Sequence, residues 1–73
     1  MDRFFMTRVG AVAYLLDRRR ACSEKIVATP NGNTALESQE MKLIDRLILD
    51  VRAGRIHKFE LAHPRAVAIF ISC

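Results

Sequence analysis

The run from Thr34 to Gly54 constrains this chain more than any other segment, because it carries a full set of helix signals. Thr34-Ala35-Leu36-Glu37 has the form of a capping box, in which the Thr hydroxyl accepts from the amide three residues on and the Glu side chain reaches back. Leu36, Leu43, Ile44, Leu47, Ile48 and Val51 follow at mostly three- and four-residue steps, broken at Glu40. That is an apolar stripe on a 3.6-residue period. Gly54 supplies, just past the end, a residue that tolerates positive φ. The spacing predicts a long central helix over 35–53 whose apolar side belongs to a core.

Around it the pattern is weaker. A first helix is expected over roughly Thr7 to Ala21, with Val9, Val12, Ala13 and Leu16 on one face, Phe5 extending that stripe upstream, and Tyr14 and Leu15 widening it. The competing reading is a short strand, Arg3 to Met6, before a shorter helix. Arg18, Arg19 and Arg20 would then close the helix, where the negative end of its dipole favours cations. Lys25 to Thr29 is a β-branched run that reads as a strand, and Pro30 to Asn33 as a turn. After Gly54, Lys58 and Glu60 alternate with Phe59 and Leu61. His63-Pro64 breaks the run, and Val67, Ile69 and Ile71 share a face beyond it. These last two segments suit a hairpin. The expected fold is α+β, with two helices packed on a small antiparallel sheet in a single domain over 1–73. The alternative for 62–73 is a tail that orders on a partner.

Charge narrows the function classes. Lys and Arg number 12 against 8 acidic residues, a net charge of +4. Most of the excess is arginine, the better residue for bidentate contacts to carboxylate or phosphate. An anionic partner follows, either nucleic acid or an acidic protein surface. Two cysteines make no disulfide framework, so a reducing cytoplasm is the expected compartment. The longest apolar runs fall far short of the ~20 residues that span a bilayer, so no membrane association is expected.

No catalytic constellation is present. Cys22, His57, His63 and Cys73 are the possible soft metal ligands, and their spacing matches no finger, ribbon or knuckle. There is no G-x-S-x-G, no P-loop and no G-x-G-x-x-G, since the three glycines are isolated. No enzymatic activity, metal or cofactor is expected. For nucleic acid, the long helix followed by two strands looks like the end of a winged-helix domain, with Lys42, Arg46 and Arg52 on the groove helix and Arg65 on the wing. Against this stand Glu37, Glu40, Asp45 and Asp50 on that helix, an Arg46–Asp50 pair at helical spacing, and no evident third helix. Aromatic RNA platforms fit worse, because Phe4, Phe5, Phe59, Phe70 and Tyr14 are few and scattered in the sequence.

Protein binding is the reading that stands, by a monomer or a homodimer. The candidate contact residues, chosen on charge, are Arg18, Arg19, Arg20, Lys25, Arg55 and Lys58. In size and character, a short arginine-rich chain without an active site, the protein resembles the small phage-encoded regulators of bacterial RNA polymerase. That resemblance implies binding to large polymerase subunits in the host cytoplasm, interference with σ factor at promoters, and altered termination. DNA binding of the winged-helix kind is the alternative.

Overall fold

The computed structural model describes residues 2–29, 32, 34–62 and 66–72. The chain opens with strand β1, Asp2–Thr7. Thr7 then turns it into helix α1, Arg8–Ala28. The Thr7 Oγ1 accepts from the Gly10 amide at 3.1 Å, a side-chain N-cap that satisfies one of the first-turn amides. The second helix, α2, is Ala35–Arg52, close to the expected 35–53. Gly54 has φ 74°, the left-handed conformation that the sequence calls for after the last turn. Strands β2, Lys58–Leu61, and β3, Val67–Ser72, complete the fold.

The fold is α+β, and its sheet is mixed. β2 and β3 pair antiparallel, as the alternation implies, with Phe59 opposite Ile69 and Leu61 opposite Val67. β1 joins the far edge of β3 in parallel, Phe4 beside Ile69 and Phe5 beside Phe70, so the strand order is β1-β3-β2. The last strand in sequence is therefore the central one. The expected hydrophobic face is real: Phe59, Leu61, Val67 and Ile69 are buried, while Lys58 and Glu60 face water. The two helices pack against each other and cover that one face. The resulting slab measures 43 × 25 × 15 Å, two layers thick.

Four expectations are corrected. The segment Lys25–Thr29 is not a strand; α1 runs through it to Ala28. A short apolar run has no period of its own, and the packing of α1 along α2, with Cys22 buried in the core, decides it. The helix ends where the Thr29 amide reaches the Ile26 carbonyl and the Thr29 hydroxyl donates to the Lys25 carbonyl. Arg18, Arg19 and Arg20 accordingly lie mid-helix, away from the dipole's negative end; Lys25 is the basic residue of the last turn. Thr34 precedes α2 yet makes no side-chain cap: its backbone, at φ −107° and ψ 20°, is not in the extended conformation from which an N-cap hydroxyl reaches the first-turn amides, and the Glu37 carboxylate is paired with Lys25. The core side of α1 is only partly the expected one: Leu15, at the margin of the expected stripe, is fully buried, and Val12 and Tyr14 pack against the core. Ala11, Leu15 and Cys22 are buried, whereas Val9 is 81% and Leu16 50% exposed. At about 100° per residue, the two stripes differ by roughly 110° around the helix axis.

The expected turn residues Pro30, Asn31 and Asn33, the His63-Pro64 break, Arg65 and Cys73 lie outside the described residues. Among the described residues there are two helices, one fewer than a helix-turn-helix core needs.

Within α2, Ile44 and Val51 are fully buried, Leu47 is half-buried, and Leu36 is 69% exposed. Ile44→Ala is expected to lower unfolding free energy by roughly 2–5 kcal/mol, the range for a large aliphatic side chain deleted from a core. Leu36→Ala should shift it by no more than about 0.5 kcal/mol, the range for a surface change. Urea unfolding of both variants checks the pair, and comparable losses would contradict the packing described.

Candidate functional site

The six basic candidates do not converge. Arg19 leaves α1 toward α2, and its Nε lies 2.6 Å from Asp45 Oδ1. Lys25 Nζ reaches Glu37 Oε1 at 3.4 Å, and Arg55 Nη1 reaches Asp50 Oδ1 at 3.2 Å. Arg55 is fixed further by its amide, which donates to the Asp50 carbonyl. It therefore takes the carboxylate that helical spacing offered to Arg46. Lys58 sits on the opposite side of the molecule, on the outer sheet face, 4.0 Å from Glu60. Arg20 is exposed and has no ion pair among the described residues. Exposed pairs of this kind contribute about 0–1 kcal/mol each. Their positional effect matters more: four of the six cations already face a carboxylate, and no single basic patch forms.

Arg18 has a different role. It shares the buried row of α1 with Ala11, Leu15 and Cys22, at steps of four, three and four residues. Its Nε is buried without a hydrogen-bond partner, as are one carboxylate oxygen each of Glu37 and Glu40. These groups line a cleft of about 330 Å³ between the helices, together with Ala21, Cys22, Lys25 and Leu36. The cleft does not activate its one thiol. Burial pushes the Cys22 thiol up, the Glu40 carboxylate beside it adds to this, and Arg18 only partly opposes the shift. A thiol held neutral is a weak nucleophile. Among the described residues, no group of three or more His, Cys, Asp or Glu is placed to hold a metal ion. No helix there is long and apolar enough to cross a membrane.

Two other surfaces were not legible as sites in the sequence. On the helical layer, the displaced stripe of α1 stays open. Val9, Val12 and Leu16 line a groove with Arg8 and Arg52 at one end. Leu16 continues it to Ile48 and Leu49 of α2, beside the Arg19–Asp45 pair. Leu49 is 64% exposed. On the sheet, the uncovered face carries a row running across all three strands. Lys58, Phe70 and Phe5 are neighbours in register. The Phe5 and Phe70 rings stack, with centroids 5.1 Å apart and planes at 22°. Lys58 Nζ lies 5.8 Å from the Phe70 centroid, within cation–π range. Two of the aromatics that are scattered in sequence are therefore adjacent in space, because β1 returns to pair with β3.

The raised thiol pKa has a consequence for stability. The neutral thiol is favoured in the folded state, so its contribution is complete below the ordinary thiol range and is lost as pH rises through the raised value. Wild-type stability should fall in the alkaline range above ordinary thiol ionisation, and Cys22→Ala should remove that component. Urea midpoints across that range test this; equal slopes for the two proteins would contradict it.

No curated protein and no solved structure matches this chain. The family model described as uncharacterized protein BTH_I2711-like matches residues 2–71, so the chain belongs to the BTH_I2711-like family.

Proposed function

We propose that this protein is a non-enzymatic protein-binding regulator that docks a partner along the open side of the α1–α2 hairpin. One observation carries the reading. α1 has two apolar stripes and the core uses one, leaving Val9 81%, Leu16 50% and Leu49 64% exposed on a single groove. Single exposed apolar residues are ordinary, whereas a continuous strip with a charged rim is the anatomy of an interaction surface. Its length along two helices suits an amphipathic helix, laid in with apolar residues at three- and four-residue steps. Arg8 and Arg52 at one end suit an acidic flank on that partner helix.

Bacterial RNA polymerase, in the cytoplasm of the host, is the partner that the resemblance to small phage regulators implies, with transcription initiation as the step affected. The groove supports a protein partner of that general kind through its shape and rim, independently of which protein it is. The scattered ion pairs of the first-choice cations favour protein over DNA. A phosphate backbone needs many uncompensated cations on one face, and four of these six have carboxylates of their own.

The test is a pull-down from nuclease-treated bacterial lysate in moderate salt, run side by side with the wild type, Val9→Asp/Leu16→Asp and Arg20→Glu. The wild type and Arg20→Glu are expected to retain the same stoichiometric partner, and Val9→Asp/Leu16→Asp to lose it while keeping its circular dichroism spectrum. Charge reversal at Arg8 and Arg52 should mainly slow association. Recovery of polymerase subunits would identify the target. Equal retention by the wild type and Val9→Asp/Leu16→Asp would remove the groove from the site, and retention of DNA alone would overturn the protein-binding reading.

A further inference from the structure

The backbone of β1 has a free side whose composition is readable residue by residue. The Asp2 amide donates to the Ala66 carbonyl at 3.2 Å, in the parallel register that sets Asp2 beside Val67. Strand residues direct their amide and carbonyl to alternate sides, so Asp2, Phe4 and Met6 bond to β3. Arg3, Phe5 and Thr7 then present their amides outward. Among the described residues no strand covers that edge, since β1 is terminal in the order β1-β3-β2. An open edge six residues long is a template for another strand. Its charges, Asp2 and Arg3, are confined to one end; β1 contains no proline and no lysine, and it carries Phe4 at 44% and Phe5 at 79% exposure.

We propose that this edge is a homodimer interface, in which β1 of two copies pair antiparallel about a twofold axis at Phe5 and join the two sheets into one. Two features favour a second copy over an unrelated strand. The first is hydrogen bonding. Antiparallel self-pairing requires outward-facing residues to oppose one another, and an axis at Phe5 sets Phe5 against Phe5 and Arg3 against Thr7. The same axis opposes Phe4 to Met6 on the helix-covered face, an apolar pair on its apolar side. The second is the aromatic row. Phe70 covers one face of the Phe5 ring, and the other face looks outward over the edge. A second Phe5 fits there, giving a continuous ladder of rings capped at each end by Lys58. A surface that complements itself in both respects is what an isologous interface requires.

The proposal is tested on the full chain by sedimentation across a wide concentration range, with hydrogen exchange as a second readout. The wild type is expected to sediment as a dimer. Arg3→Pro removes an outward amide that the monomer does not use and leaves both rings in place; Phe5→Lys adds charge at the axis. Both are expected to sediment as monomers that keep the wild-type circular dichroism spectrum, while Val9→Asp/Leu16→Asp stays dimeric. In the wild type, exchange protection of the Phe5 amide should rise with protein concentration, whereas Phe4 and Met6 are protected throughout. A wild type that is monomeric at every concentration overturns the proposal. So does a dimer that survives Arg3→Pro, or one abolished by Val9→Asp/Leu16→Asp, which would place the contact on the helices. A monomer that binds single-stranded oligonucleotide through Phe5 would reassign the ring platform to nucleic acid.

Discussion

The whole structure depends on β3 having neighbours on both edges. Among the described residues it is the last strand and the only one flanked on both sides, with β2 from the local hairpin and β1 from the other end of the sequence. Ile69, at its centre, is fully buried and lies in register with Phe59 on one side and Phe4 on the other. The Ser72 hydroxyl donates to the Met6 carbonyl across 66 residues. Before β3 is in place, β1 has no partner, β2 has no ladder, and the helices have no sheet to cover. The helical hairpin is local and can form early, but the sheet must wait for a contact of high sequence separation. Such contacts have their loop-closure entropy set against them before any ladder forms.

A sheet of this size, covered on one face by two helices, leaves a good deal of apolar surface in water. The two layers have one interface, and every element has a second side. On α1 that side is the Val9–Leu16 stripe, on α2 it is Leu49, and on the sheet it is the Phe5–Phe70 pair. Small chains often acquire the missing burial from a partner. The position of the charges fits the same account. Arg19–Asp45 ties the middles of the two helices together beside the open groove, and Arg55–Asp50 holds the end of α2. Arg18 gives up full hydration in the buried row of α1, where its long stem packs beside Cys22 and Leu36.

What the sequence disclosed, and what it withheld, divides along local and non-local lines. α2 was legible because stripe, terminal glycine and length agreed, and the alternation of β2 and β3 was legible because each buries one face. The face of α1 was not. Val9, Val12 and Leu16 form as good a stripe as Ala11, Leu15 and Cys22, and only contact with α2 and the sheet selects between them. The Lys25–Ala28 stretch was misread because β-branched propensity is weak beside packing on a neighbouring helix. The mixed sheet was out of reach, since no local signal announces a parallel pairing between the two ends of a chain. For the same reason the ring pair at Phe5 and Phe70 had no sequence signature, and the cations, conspicuous in sequence, turned out to be dispersed among carboxylates.

The groove and the strand edge reinforce one another in a way that neither shows alone. Pairing through β1 leaves Val9, Leu16 and Leu49 untouched, because the groove is built from helix residues and the new ladder from strand residues. A twofold assembly therefore displays two identical grooves. Against a target that repeats its docking helix, or that carries two copies within reach, the second engagement becomes intramolecular. Modest contact at each groove is then enough for tight occupancy, which suits a chain too small to bury a large interface by itself. The same coupling makes occupancy depend on protein concentration twice, once through dimer formation and once through binding. On the two proposals together, a short chain of this design would act as a threshold device: weak and monomeric when scarce, bivalent when abundant.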